Sequence, residues 1–462
     1  MLRHSTAAKK GLNIIIVGCG KVGATLTEQL SKEGHNLTLI DRNPERVHAL
    51  ADMYDIMGIV GNGASYSVLM EAGIENTDLL ISVTESDELN LLCCTFAKRV
   101  ADCSAIARVR NPDYSTEIGY LREKLGLAMI INPELEAALE IARVLSLPTA
   151  LEINTFAHGH AEMVKIKIPD GNIMHQKSIA ELKKRISVNF LICAIERQGE
   201  VYIPSGDFVL QTGDILSFIA SRMNCRLFLK EIGIPTQQVK NTIIVGGGKS
   251  SFYLAKQLLA AGIDVNIIEQ DKEKCEFLSE LLPNATIING DGSDEDLLNE
   301  IDLASADSFV PLTGIDEENI ILTLHAQQIS NAKVITKINR INFKHVVNNL
   351  ELGSVVYPKY IATEAIIAYV RAKKASMNSD IETLYHLFDS RAEAIEFRID
   401  KPSEITDITL ADIKLKNNLL IATINRRGRV FIPSGSDSIQ LGDTVIVVAK
   451  HTGFNCIEDI LA

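Results

Sequence analysis

The stretch that decides the fold is IIIVGCGKVGATL, residues 14–26. An apolar run, typical of a buried parallel strand, ends in glycines with the spacing G-x-G-x-x-G. In such a strand–turn–helix unit, Gly18 permits the tight turn, Gly20 leaves room for a pyrophosphate, and Gly23 lets the helix pack close to the sheet. The start of the helix offers free N–H groups to phosphates. We therefore predict a dinucleotide-binding loop formed by Gly18, Cys19, Gly20, Lys21, Val22 and Gly23.

The next predicted strand, LTLI, is followed by Asp41. A carboxylate at this position can accept hydrogen bonds from the adenosine ribose hydroxyls and would repel a 2′-phosphate. The sequence therefore favours NAD(H) over NADP(H). The alternative is a strand–turn–helix unit whose glycines serve packing alone.

The pattern returns in the second half of the chain, where NTIIVGGGKSS begins at Asn241. Gly18 aligns with Gly246, and Asp41 aligns with Glu269, at an offset of 228 residues. Ser251 takes the place of the third glycine, so the copy is imperfect. It is either a second working site or a degenerate copy kept for packing. The predicted second loop consists of Gly246, Gly247, Gly248, Lys249 and Ser250, with Glu269 as its acid.

A second pair of segments repeats as well. GEVYIPSGDFVLQTGD (199–214) and GRVFIPSGSDSIQLGD (428–443) are identical at nine of sixteen positions, where unrelated sequences would share roughly one. The order along the chain is therefore A, B, A′, B′, which indicates the duplication of a two-domain unit.

The alternation of short apolar strands and helices in A and A′ predicts an α/β fold. We expect two Rossmann-like, doubly wound parallel-sheet domains, each followed by a small α+β domain. The predicted linkers lie near Leu147–Pro148 and Ile234–Pro235 and between Lys373 and Asp380. The predicted domains are 11–147, 148–235, 239–373 and 378–462.

Composition excludes several classes of protein. The net charge of −13 argues against broad binding of nucleic acid or anionic lipid. No apolar run reaches the roughly 18 residues of a membrane-spanning helix. We expect MLRHSTAAKK, residues 1–10, to be an irregular leader and not a signal peptide. The eight cysteines are scattered without C-x-x-C spacing, so we predict reduced cytosolic thiols and no metal site.

The chain also lacks a catalytic set in its sequence. Thr84 and Glu85 follow the strand LLISV, where a ribose or phosphate on the nicotinamide side would lie. Arg108 ends the next strand and either reaches a phosphate or forms a salt bridge with a nearby acid.

A dehydrogenase also needs an acid/base residue beside the nicotinamide, but His158 and His160 have no counterparts in B′. We therefore predict binding without catalysis.

The two-domain unit resembles the regulator-of-potassium-conductance (RCK) module. The motifs that carry the resemblance are IIIVGCGKVGATL, LIDRNPERV, GNGAS, VTESDELN, ARVRNPDY and, in the second half, IIVGGGKSS, NGDGSDEDLL and the repeated IPSG segments. Two modules in tandem are similar to the regulatory subunits of Trk-type potassium uptake systems. Asn62 and Ser251 depart from the family pattern.

The resemblance implies a subunit at the cytoplasmic face of the plasma membrane that docks on a TrkH-like potassium transporter. It implies a homotetrameric ring and gating through a conformational change that depends on NAD/NADH, or on ATP/ADP. Family NAD contacts fall on Gly18 to Val22, Asp41, Thr84, Glu85 and Arg108. The alternatives are a regulator of another cation channel or antiporter, and an NAD-dependent oxidoreductase.

Overall fold

The computed structural model describes residues 11–462 except 102, 116, 157–159, 235, 237–238, 340–346, 348–349, 377–380, 389–390, 451–452 and 455. The predicted leader, Pro235, His158 and the end of the third predicted linker lie outside these residues. The chain divides into two compact units, Met1–Glu136 with Pro358–Ile367, and Ala137–Tyr357 with Ala368–Ala462. The predicted domain boundaries remain predictions.

A six-stranded parallel sheet forms the centre of the first unit. Its strands are β1 (Asn13–Val17), β2 (Asn36–Asp41), β3 (Met57–Val60), β4 (Leu79–Ser82), β5 (Ser104–Arg108) and β6 (Met129–Ile131). Their order is β3-β2-β1-β4-β5-β6. This order reverses direction beside β1, and a crevice for a ligand opens at such a switch point, outside the carboxyl ends of the strands.

Helices connect these strands. They are α1 (Lys21–Lys32), α2 (Pro44–Tyr54), α3 (Tyr66–Glu71), α4 (Asp87–Val100), α5 (Pro112–Ser115) and α6 (Ile118–Lys124). Helix α7 (Pro133–Ser146) follows β6, the last strand of this sheet. Side chains alternate between the two faces of a strand. Ile15 and Val17 therefore share one buried cluster with Cys93 and Ala97 of α4. This packing fixes the carboxyl end of β1, from which the glycine loop starts.

The second unit begins with an antiparallel sheet. Its elements are β7 (Glu152–Phe156), β8 (Ala161–Lys167), α8 (Ile179–Arg185), β9 (Leu191–Arg197), β10 (Glu200–Tyr202), β11 (Ile215–Ala220) and α9 (Arg222–Glu231). The strand order is β10-β9-β11-β8-β7.

A second parallel sheet follows. Its strands are β12 (Asn241–Val245), β13 (Asp264–Glu269), β14 (Thr286–Asn289), β15 (Ser308–Pro311), β16 (Lys333–Lys337) and β17 (Ser354–Val356). Its helices are α10 (Lys249–Ala260), α11 (Lys272–Leu281), α12 (Glu295–Glu300) and α13 (Asp316–Ile329). Helix α14 (Pro358–Ser376) follows β17, and its part Pro358–Ile367 belongs to the first unit. The order β14-β13-β12-β15-β16-β17 repeats that of the first parallel sheet.

The last sheet is antiparallel and repeats the topology of the other antiparallel sheet. Its strands are β18 (Ile381–Leu387), β19 (Ala392–Arg398), β20 (Leu419–Arg426), β21 (Arg429–Phe431) and β22 (Thr444–Ala449). Their order is β18-β19-β22-β20-β21. The predicted fold class and tandem duplication are therefore confirmed.

The two antiparallel sheets share one hydrophobic core. Phe156, Met163 and Ile219 of the first sheet are buried in the same cluster as Ala394 and Ile446 of the last. The hydroxyl of Tyr385 also donates to the carbonyl oxygen of Thr155, at 3.1 Å. The B and B′ sheets are thus packed against each other.

The segment between α7 and β7 is held by the second parallel sheet. The Nζ of Lys333 donates to the carbonyl oxygen of Ala150 at 2.7 Å, and the Oγ of Ser354 donates to that of Leu151 at 3.0 Å. Both side chains lie at the amino-terminal ends of their strands, β16 and β17. Two of the segment's backbone acceptors are therefore satisfied by side chains of A′.

Candidate functional site

At two positions of the first glycine loop, the backbone geometry accommodates only glycine. Gly18 has φ +106, a region that side chains disfavour. A Cβ added to Gly23 would lie 1.9 Å from the carbonyl oxygen of Gly18. The first feature turns the chain out of β1, and the second lets α1 pack directly beneath the turn.

The amino terminus of α1 is open to an anion. Gly20 caps the helix, and among the described residues no side chain accepts its first N–H groups, nor is any first-turn residue acidic. No described atom lies within 4 Å of a Cβ built on Gly20. Lys21 is exposed beside this opening, while Val22 is buried. The N–H groups and the dipole of α1 are therefore available to phosphate.

Asp41 closes the loop from the end of β2. Its Oδ2 accepts the N–H of Cys19 at 2.6 Å, and its Oδ1 accepts that of Asn43 at 2.9 Å. A carboxylate has about four lone-pair positions, so it retains acceptor capacity for ribose hydroxyls. Burial, and then the charge of Asp41, raise the pKa of the Cys19 thiol to about 12. The thiol therefore stays protonated and is not a nucleophile.

Asn90 of α4 organises the neighbouring strand ends. Its Oδ1 accepts the N–H and the Oγ1–H of Thr84, at 2.8 and 2.7 Å. Its Nδ2 donates to the carbonyl oxygens of Thr84 and Arg108, at 3.1 and 2.8 Å. Asn90 was not among the predicted site residues. The signal that could have found it is the spacing T-x-x-D-x-x-N of residues 84–90, which recurs at residues 313–319.

Arg108 forms no salt bridge with an acid among the described residues, and its predicted phosphate contact stays a prediction. Its Nη2 donates to the carbonyl oxygen of Thr84 at 2.6 Å, and burial lowers the pKa of its guanidinium. In the described structure the acids beside it pair with Arg110, whose Nη1 lies 3.6 Å from Glu134. Glu85 is exposed on the rim, and its carbonyl oxygen accepts from Arg110. Arg108 therefore supports the Thr84 backbone.

The second loop repeats most of this geometry. Gly246 has φ +98, and a Cβ on Gly248 would meet no described atom within 4 Å. The Oε2 of Glu269 accepts the N–H of Gly247 at 2.6 Å. Lys249 is exposed and Ser250 is buried. The strand-end network also recurs, since Asn319 accepts from Thr313 and donates to the carbonyl oxygen of Lys337.

Ser251 is the largest departure in the second loop. It is completely buried, and within the described part of the chain its Oγ has no hydrogen-bond partner. It stands where Gly23 contacts the backbone of the first loop. Ser251 therefore adds a buried hydroxyl beneath the second turn, and Gly246 is more exposed than Gly18.

Neither a metal centre nor a membrane span is found in the ranges that the structure describes. No cluster of His, Cys, Asp and Glu side chains there is arranged to hold an ion. No helix there has the length and apolar character needed to cross a bilayer.

Comparison with known families gives matches along most of the chain. The model of the TrkA-N domain matches residues 14–133 and 242–358. The model of the TrkA-C domain matches residues 163–233 and 394–462. The matches follow the A, B, A′, B′ order found by internal comparison.

Curated relatives align over nearly the whole chain. A Trk system potassium uptake protein TrkA homolog of Archaeoglobus fulgidus is 28% identical over 97% of this chain and 100% of its own length. The Trk system potassium uptake protein TrkA of Halomonas elongata is 30% identical over 94% of this chain and 95% of its own.

Solved structures share the fold. The GsuK channel aligns with a TM-score of 0.64 and 17% identity, over 97% of this chain and 78% of the channel chain. The GsuK channel bound to NAD aligns with a TM-score of 0.62 and 17% identity, over the same shares of the two chains.

Proposed function

Because the chain belongs to the family built from TrkA-N and TrkA-C domains, we propose that it is the nucleotide-binding regulatory subunit of a potassium uptake system. Relatives along its whole length are named as potassium uptake proteins. The names of these relatives refer to a transport system and not to an enzyme activity. The chain is therefore a regulator rather than an enzyme.

The first glycine loop is the observation that carries the proposal. It combines an uncapped helix amino terminus, open space above Gly20 and an acid at the ribose position. These three features suit the pyrophosphate and ribose of a dinucleotide. A GsuK channel structure of the same fold holds NAD, so this architecture accommodates such a ligand.

We assign the ligand as NAD or NADH, with ATP or ADP as competitors for the same phosphate cradle. In the first copy, Gly18 to Val22 would face the phosphates and Asp41 the ribose. Thr84 and Glu85 would lie at the nicotinamide end of the ligand, and Arg108, which also holds the Thr84 carbonyl oxygen, would reach a phosphate. In the second copy, Gly246 to Ser250 and Glu269 would take the corresponding roles.

The proposed partner is a TrkH-like membrane transporter, contacted from the cytoplasmic face by a ring of four chains. A nucleotide can shift a conformational equilibrium only by binding its two states with different affinity. NADH, NAD and ATP differ in charge and size, so they would favour different states. The bound state would then set the opening of the transporter.

Potassium flux through a reconstituted TrkH-type transporter tests the proposal. Gly20→Asp places a carboxylate where the phosphates would lie, and Asp41→Ala removes the ribose acceptor. Both variants should weaken the response of flux to NADH and ATP, and Gly20→Asp/Gly248→Asp, which blocks both loops, should lose it. Gly119→Asp is the matched control, because Gly119 is exposed on α6 with free space around it. A normal nucleotide response in folded Gly20→Asp/Gly248→Asp protein would contradict the proposal.

A regulator of another cation channel is the second candidate, and the fold shared with the GsuK channel favours it. Purification of the chain with its membrane partner, followed by ion-flux measurement on that partner, distinguishes the two. Flux of potassium through an uptake transporter supports the first candidate.

A further inference from the structure

Two of the differences between the loops lie against each other, and yet the two loops hold their carboxylates alike. Cys19 and Asp41 of the first loop correspond to Gly247 and Glu269 of the second. In each copy the acid accepts the N–H of the loop residue at 2.6 Å. It also accepts the N–H two residues beyond itself, at 2.9 Å. The extra methylene of Glu269 leaves these contacts unchanged.

The space for that methylene comes from the loop. A Cβ added to Gly247 would lie 2.8 Å from Cδ1 of Leu278, and 2.9 Å from both Cγ and Oε2 of Glu269. Such distances are too short for carbon and oxygen atoms in contact. In the first loop, where the acid is one methylene shorter, a side chain is present and Cys19 is 5% exposed. The first copy thus combines a larger loop residue with a shorter acid, and the second copy combines a glycine with a longer acid.

Ser251 does not occupy the open side of the second loop. At the equivalent position of the first loop, a Cβ on Gly23 would point at the Gly18 carbonyl and at Cγ2 of Val83. That direction leads toward the sheet, away from the free space above Gly248. The change at Ser251 therefore leaves the ligand side open.

We infer that Gly247 is a positioning residue of the second nucleotide site, because its missing side chain lets Glu269 hold a carboxylate where Asp41 holds one in the first. The inference rests on the proposed function. It makes the second loop a working site for nucleotides with free ribose hydroxyls. It also predicts that a longer acid requires a smaller loop residue, so that a substitution at one of the two positions needs a matching substitution at the other.

A double-mutant cycle on the full-length chain tests this coupling. Gly20→Asp first disables the first loop, and calorimetry with ADP and NADH should then show one nucleotide per chain. In that background, Gly247→Cys and Glu269→Asp should each weaken binding by at least about tenfold, the effect of losing a hydrogen bond to a charged acceptor. Gly247→Cys/Glu269→Asp rebuilds the first-loop pair and should restore affinity to within about threefold.

Ribose recognition provides a readout that general damage to the fold would not give. The Gly20→Asp chain should bind ADP more tightly than 2′-deoxy-ADP. Gly247→Cys should remove this preference, and the double substitution should bring it back.

The reciprocal exchange covers the case in which Gly247→Cys fails to fold. With the second loop disabled by Gly248→Asp, Asp41→Glu should weaken binding and Cys19→Gly/Asp41→Glu should rescue it. Absence of rescue in both folded doubles overturns the inference.

Stoichiometry separates this inference from the proposed function. If the wild-type chain binds one nucleotide and the Gly20→Asp chain binds none, the second loop is not a working site and only the inference fails. If the wild-type chain binds none, the proposed function itself fails.

Discussion

Asn90 shows how a single buried residue can set a binding edge. It is fully buried and ties the ends of β4 and β5 together through Thr84 and Arg108. Beyond the carboxyl ends of β4 and β5 the chain leaves the sheet, so no neighbouring strand can pair with these backbone groups. The Asn90 side chain pairs with them instead. A buried amide with all its partners in place is rigid, and removing it leaves several backbone groups unpaired.

Asn90→Ala should loosen the first site locally. The lost bonds should cost about 2 kcal/mol, so the Thr84 amide should exchange with deuterium roughly 30-fold faster. Hydrogen-exchange mass spectrometry of the peptide that contains Thr84 measures this, and nucleotide affinity should fall in parallel. Asn36→Ala, at an exposed side chain, is the control. Equal exchange rates in wild type and Asn90→Ala would contradict the assigned role.

Many individual residues of the site could be predicted from the sequence, and there is a physical reason why the others could not. Gly18, Gly20 and Asp41 follow from spacing, because a turn and a phosphate impose backbone requirements that few residue types meet. Asn90 was missed because a polar residue within a helix resembles a surface residue. The hydrogen bond from Arg108 to the Thr84 carbonyl oxygen was not predicted, because a contact to the backbone leaves no pattern in the sequence.

Among the secondary-structure elements, the apolar strands of the parallel sheets were predictable, and several elements of the first antiparallel-sheet domain were not. Helix α4 begins at Asp87 because the Ser86 side chain accepts the N–H of Leu89 and caps the helix. Strand β7 and helices α8 and α9 were not predicted. The Ser178–Glu181 capping box that starts α8 was a readable signal.

Lys333 makes the contact between the α7–β7 segment and A′ sensitive to pH. Burial lowers its pKa from the ordinary 10.5 to about 8. Between these values the unfolded chain binds more protons than the folded one, so this residue's contribution to stability should rise with pH from about 8 to 10.5.

Urea unfolding followed by circular dichroism at pH 7.5 and 9.5 tests this effect. The midpoint of wild type relative to that of Lys333→Met should increase at the higher pH. Lys256→Met, at an exposed position on α10, should show no such change relative to wild type. A constant difference between wild type and Lys333→Met would refute the pH effect.

For the whole molecule, corresponding helices of the two copies carry exposed apolar residues. Leu92 and Phe96 of α4 are 45% and 40% exposed, and Ile321 and Leu324 of α13 are 66% and 39% exposed. Apolar side chains grouped on a helix face often mark contacts with other chains. Their recurrence in both copies supports the proposed homo-oligomer.

Leu92→Glu/Ile321→Glu should therefore break the assembly. Charges buried at a subunit contact are costly, so mass photometry should show the tetramer replaced by smaller species. Arg99→Gln/Gln328→Glu changes exposed polar residues of the same helices and should leave the mass unchanged. A tetramer that persists in the Leu92→Glu/Ile321→Glu variant would exclude these helix faces from the assembly.

The core shared by the B and B′ sheets has an evolutionary consequence. A single ancestral unit would have exposed the apolar face that Phe156, Met163 and Ile219 now bury, and would have needed a second copy of itself to cover it. Fusion makes that association intramolecular and independent of protein concentration. In a symmetric dimer every mutation appears twice, whereas in the fused chain it appears once. The two halves could then diverge separately, as the pairs Cys19–Asp41 and Gly247–Glu269 have done.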